Sequence, residues 1–292
     1  MEIGEAIAFG MTAPEAHDER VCPWHGRRSP PGGALKPANP EERIPPNDAG
    51  LLDAALAEAG HAKPEGVQVT LRFAPGPRVK DGKKTIATFA PSEEAVTYEV
   101  VFSAHHLIPG NESLKGNAVL RWVGDDASLG GYRKQVQSML APQEFTGYDI
   151  NAAANGAWLP GPYALSTEGN WPRKGRASKS SADFKRAYAH AVMDQCGRQF
   201  HFRHTKYSEF VSEQLTKIAV RADTDAGRCP VANEARRDEK YLAPGGLVAR
   251  LDAVSARLRP FVIGKRWNAA IYTDNDAGED YVRDRAARRG RR

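Results

Sequence analysis

Val96-Thr97-Tyr98-Glu99-Val100-Val101-Phe102-Ser103-Ala104-His105-His106-Leu107-Ile108-Pro109-Gly110 is a strand-like run that ends in two adjacent histidines and a break. The β-branched and aromatic residues of 96–102 suit a pleated, half-buried surface. Successive side chains of a regular strand point to opposite faces. His105 and His106 can therefore serve one site only where the strand bends or stops, and Pro109-Gly110 supplies that break. Neutral imidazole is a common ligand for zinc, nickel and similar metals, and it titrates near neutral pH. The plainer reading is a pair of buried histidines satisfied by ordinary hydrogen bonds.

Upstream of the pair the chain reads as β-rich. Val67 to Phe73 alternates apolar and polar residues, Thr85 to Phe89 is a second candidate strand, and 96–102 is the third. Pro75-Gly76-Pro77 and Asp81-Gly82 mark turns between them. Before these, Leu51, Leu52, Ala55 and Leu56 fall at helical spacing behind Asp48, a candidate cap. Residues 1–48 are rich in Pro, Gly and charge, as in Arg27-Arg28-Ser29-Pro30-Pro31-Gly32-Gly33, and read as an extended arm or linker.

Downstream, helices are predicted within 129–140, over 184–193, over 204–219 and over 247–258. In the third, Tyr207, Phe210, Val211, Leu215 and Ile218 sit at core spacing. Residues 223–245 read as a loop and 260–292 as an irregular tail. The expected order is an arm (1–48), a small α/β lead-in (49–95), a central domain (96–222), and a loop, helix and basic tail (223–292).

With 41% hydrophobic residues in 292, the chain can build a core without disulfides. Its three cysteines, Cys22, Cys196 and Cys229, form no disulfide framework. Cys22-Pro23-Trp24-His25 has the spacing of half a zinc site, but nothing nearby in sequence supplies the other half. No long apolar run suggests a membrane span. The first residues lack the basic start and apolar stretch of a secretory signal, so export would need a dedicated machine or a fused delivery module.

A net charge of +5 and a pI near 9.1 are compatible with a polyanionic substrate. The charge is concentrated in Arg173-Lys174-Gly175-Arg176-Ala177-Ser178-Lys179 and in the final Arg288-Arg289-Gly290-Arg291-Arg292. Both suit phosphate contacts or simply solvated surface.

Of the eight histidines, His201 and His204 have HxxH spacing and share a face if the helix has begun by 201. Three segments together resemble the AHH nucleases, a branch of the HNH/endonuclease VII superfamily. The first is Ala104-His105-His106-Leu107-Ile108-Pro109. The second is Gly147-Tyr148-Asp149-Ile150-Asn151 followed by Asn155-Gly156-Ala157-Trp158-Leu159-Pro160. The third is His201-Phe202-Arg203-His204-Thr205-Lys206-Tyr207. They occur in the family's order over roughly residues 96 to 220.

The resemblance implies an α+β fold: a ββα-metal nuclease core with helical additions and an extended Pro/Gly-rich N-terminal arm. Its strands would be 96–103 and the Asn155-Gly156 segment, and its helix 204–219. It implies one divalent metal ion (Mg, Zn, Mn or Ni) on His105 and His204, with His201 as third ligand or phosphate contact. His106 would be the general base, and Asn155 would orient that base or line the metal site. Arg203 and Lys206 would hold phosphates or lie on a solvated helix face. Trp158 and Tyr163 would stack on bases or pack in the core.

The implied partners are nucleic acid, DNA foremost, an acidic immunity protein, and a secretion-system delivery module. Members of the branch occur as tips of bacterial polymorphic toxins and type VI effectors. Such a protein is made in the bacterial cytoplasm and acts in the target cell's cytoplasm. Two other readings stay open: a histidine-metal hydrolase of another kind, and a nucleic-acid-binding or interaction module without catalysis. HExxH and Gly-x-Ser-x-Gly are both absent, which disfavours a zincin and a serine hydrolase.

Overall fold

The structure is a computed structural model that describes residues 22, 24, 47–81, 84–123, 148–167, 179–201, 204–237, 246–264, 281 and 283–287. It is a mixed α+β fold with small sheets. The chain divides into two compact units, each built from three segments. One comprises Ala49–His105, Gly156–Tyr207 and Leu258–Arg292, and the other Met1–Asp48, His106–Asn155 and Ser208–Arg257.

In the first of these units, helix α1 (Ala49–Glu58) buries Leu52 and Leu56. Strands β1 (Gln68–Pro75) and β4 (Phe89–Glu99) pair antiparallel, from Gln68 opposite Glu99 to Pro75 opposite Phe89. Leu71 faces Val96 and Phe73 faces Pro91, so residues 92–95 oppose Arg72 alone and β4 bulges there. A short inner hairpin, β2 (Val79–Asp81) with β3 (Lys84–Ile86), caps the ribbon. The run 96–102 is thus split between β4 and β5 (Val101–His106) at Val100, whose N–H donates to Val67 O.

A lone two-stranded ribbon is marginal in water. This one is covered by helix α4 (Lys179–Cys196) through aromatic packing. Phe184 stacks on Phe89 and meets Tyr98 at 5.3 Å between ring centres, while Tyr188 packs edge-on to Tyr98 and Phe200. The tyrosine hydroxyls are used as well: Tyr98 donates to Phe73 O and Tyr188 to Glu99 O. β5 pairs with β6 (Gly156–Gly161), and short helix α3 (Tyr163–Thr167) follows. A Cβ on Gly156 would meet Leu52 and Leu56 at 2.8–3.0 Å, so α1 packs directly on the start of β6.

The other unit is mainly helical. It holds a single π-helical turn (Gly110–Leu114), short helix α2 (Leu120–Val123), and a 3-10 turn at Ala153–Asn155. To these it adds most of α5 (Thr205–Arg228), then α6 (Pro230–Arg237) and the larger part of α7 (Leu247–Ile263). Its core includes Ile108, Leu114, Val119, Trp122 and Ile150 with Val211, Leu215, Ala219, Leu251 and Val254. Asn117 ties the loop before α2 to α5 by donating to Ser212 O, Ser212 Oγ and Thr216 Oγ1.

Along α5, Tyr207, Val211, Leu215 and Ile218 are buried as their spacing predicts, and Phe210 is half-buried. Two expectations are corrected. Residues 223–237 are not a loop: Ala222 and Ala226 continue the buried stripe to Arg228, and Arg221 and Asp225 pair one turn apart at 3.0 Å. Pro230 is the first residue of α6, where a missing N–H costs nothing. Likewise α7 runs through Pro260 to Ile263 instead of ending at 258. The candidate helix at 129–140, nearly all of the arm, the basic run 173–178 and the tail 288–292 lie outside the described residues. No helix among the described residues is long and apolar enough to cross a membrane.

Candidate metal centre

β5 delivers His105 in a buried position, 5% exposed, and the segment entering α5 delivers His201 and His204, both half-buried. Their ring centres lie 4.6 Å (105–201), 5.0 Å (105–204) and 5.4 Å (201–204) apart. One nitrogen from each ring lies within 4.8 Å of the others. Nitrogens bound about 2.1 Å from one ion at tetrahedral angles stand about 3.4 Å apart. Side-chain adjustments of about an ångström therefore close the set on a single divalent ion. The three imidazoles fit a metal, and all belong to the same unit.

The local backbone explains the convergence. Gly197, at φ +63°, turns the chain out of α4. Gln199 N–H donates to Val262 O and His201 N–H to Pro160 O, at 2.8 and 2.7 Å, so this stretch is held by α7 and β6. Tyr207 packs 5.9 Å from His105 and 5.7 Å from His204. The Tyr163 hydroxyl lies against His201 Nδ1. Burial pushes the Tyr163 phenol up to about 12, a shift that its hydrogen bond with Ser103 opposes, so it keeps its proton at neutral pH. When His201 donates its Nδ1–H to Tyr163, its Nε2 lone pair is left for a metal, as is usual for ligating histidines.

His106 is also buried, and it belongs with its partners to the mainly helical unit. Its Nε2 lies 2.8 Å from Asn151 Oδ1, an oxygen that also accepts the Asp48 N–H at 3.2 Å. That second bond fixes the amide oxygen as the acceptor. A neutral His106 ring therefore carries its proton on Nε2 and its lone pair on Nδ1. Burial lowers the His106 pKa below the ordinary imidazole value, opposed by the Asn151 bond and by the Asp149 and Asp48 carboxylates. The neutral form, which can accept a proton, is favoured.

Asn155 is placed differently from its expected role. The amide against His106 is that of Asn151, a residue of the same motif segment for which the resemblance implies no role. Asn155 is fully buried, and its amide makes four hydrogen bonds, none to His106. Oδ1 accepts from Ile108 N–H and Ser255 Oγ, and Nδ2 donates to Ile108 O and Ile150 O. With Leu107 N–H donating to Asn155 O, this residue clamps the backbone that follows the histidine pair. Asn155→Ala should cost about 3 kcal/mol or more, since each buried group left unpaired costs about 1–3 kcal/mol. Urea denaturation measures it, and a loss within about 0.5 kcal/mol, the range of an ordinary surface change, would contradict the clamp.

Lys206 is exposed on the first turn of α5, and Arg203 lies outside the described residues. Trp158 belongs to the core: it is 4% exposed and donates Nε1–H to His61 O. Burial pushes the Cys196 thiol up to about 11, so it is no activated nucleophile at neutral pH. Cys22 lies beside the buried Cys229 thiol, whose pKa burial raises. No family model, curated protein or solved structure matches the chain.

Proposed function

We propose that the chain is a metal-dependent nuclease that hydrolyses phosphodiester bonds of DNA or RNA. The observation that carries the proposal is the convergence of His105, His201 and His204 on space for one ion. It occurs in a chain whose three motif segments resemble the AHH nucleases. In this reading β5, β6 and the start of α5 are the ββα-metal elements, His105, His201 and His204 are ligands, and His106 is the general base.

The chemistry follows from the residues. His106 Nδ1 accepts a proton from the water that attacks phosphorus, while its Nε2–H stays on Asn151 Oδ1, which keeps the ring oriented. The phosphorus–oxygen bond to the leaving sugar oxygen breaks, and that oxygen takes a proton from solvent. A bound divalent ion supplies Lewis-acid stabilisation of charge on the phosphoryl and leaving oxygens. Lys206 and Arg203 are the proposed phosphate contacts. Nucleic acid is the substrate, and an acidic immunity protein that neutralises an injected toxin is the proposed partner, drawn by electrostatic steering toward a basic surface.

Expression of the chain in a bacterial cytoplasm tests this reading. Growth should stop and chromosomal DNA or cellular RNA should fragment, whereas the His106→Ala form should be tolerated at equal protein level. Normal growth with intact nucleic acid, despite abundant soluble parent protein, would refute it.

A further inference from the structure

The three imidazoles share their cavity with Leu159, Phe200, Tyr207, Val262 and one more polar side chain, Gln199. The space between them is about 10 Å³, close to the least that holds one water molecule or ion. Gln199 is 3% exposed, and its Oε1 is fully buried with no hydrogen-bond partner among the described residues. Burying an amide oxygen unpaired is costly, so native folds seldom leave one without a partner. Its backbone is fixed by the bond to Val262 O, and burial confines its side chain. Three nitrogens able to take a cation and the residue that carries the unpaired carbonyl oxygen thus line the same ion-sized space.

We infer that Gln199 Oε1 is a fourth, oxygen ligand, completing an N₃O centre with His105, His201 and His204. The inference rests on the metal-binding part of the proposed function. It accounts for the orphaned oxygen: the ion is its missing partner. An imidazole set with one amide oxygen suits divalent ions such as Zn²⁺, Ni²⁺ and Co²⁺ rather than soft monovalent ones.

The test uses the full-length chain stripped of metal and titrated with Co²⁺, in the parent and in Gln199→Met and Gln199→Glu. Methionine keeps the volume and removes the oxygen. Affinity, read by competition with a chromophoric chelator, should fall at least about 10–100-fold in Gln199→Met, the cost of losing even an outer-shell partner. The visible Co²⁺ bands should change with the donor set. Gln199→Glu should bind at least as tightly as the parent. Metal-free Gln199→Met should melt at or above the parent, because a buried unpaired oxygen has been removed. Parent-like affinity and spectrum in Gln199→Met would overturn the inference while leaving the three-histidine centre standing. So would a much lower melting point of the metal-free variant, which would mean that the amide is already satisfied in the fold. A parent chain that binds no divalent ion would overturn both.

Discussion

His105→Ala should lower the affinity for a divalent ion by more than about 100-fold, the upper end of what losing an outer-shell partner costs. His105 is the most buried of the three imidazoles, and its ring is the one nearest both others, at 4.6 and 5.0 Å. Neither remaining ring can replace a donor that comes from β5. His204→Ala should show the same direction, because it removes the donor at the threshold of α5. Calorimetric titration of metal-stripped protein reads both, with circular dichroism to confirm that each variant is folded. Parent-like binding in both variants would mean that the centre lies elsewhere.

The second large effect is expected at His106. His106→Ala should reduce nucleic acid cleavage by about 10² to 10⁴-fold, the usual contribution of a general base, while leaving metal affinity at the parent value. The two variants therefore separate: one loses metal and activity together, the other loses activity alone. The assignment depends on the ring nitrogen opposite Asn151, because the bond at 2.8 Å occupies Nε2 and leaves Nδ1 to take the proton. Single-turnover assays at saturating metal read the chemical step. Near-full cleavage by folded His106→Ala would remove His106 from the mechanism.

How much of this was legible before the structure depended on the kind of signal. The histidine set was readable because residue type and strand-end position carry the chemistry on their face. Long helices with a clean apolar stripe, such as α4 and α5, were also readable. The stripe's continuation through Ala222 and Ala226 was missed because alanine is a weak hydrophobic marker. The part expected of Asn155 falls to Asn151 for a reason that spacing cannot express. Asn151 and Asn155 are four residues apart, and only the fold decides which amide meets the His106 ring and which clamps Ile108. Gln199 was invisible for a related reason: its significance lies in a bond it does not make.

The Tyr163–His201 contact belongs to the same class. The aromatic was weighed as a base-stacking or core residue, whereas its hydroxyl meets a ligand ring and bears on that ring's tautomer. Sequence patterns report burial and periodicity well. They report the partner of a particular polar atom poorly, because that partner is chosen by tertiary packing.

The central claim is that this chain uses one bound divalent ion to cut nucleic acid. The most direct measurement is incubation of the full-length protein, made by cell-free synthesis, with plasmid DNA and total RNA. It should be run metal-stripped, reloaded with Mg²⁺, Mn²⁺, Zn²⁺ or Ni²⁺, and reloaded with excess chelator added. Cleavage is expected in at least one reloaded sample and in none of the stripped or chelated ones. Intact DNA and RNA in every sample, with folded protein shown to carry its metal, would contradict the account.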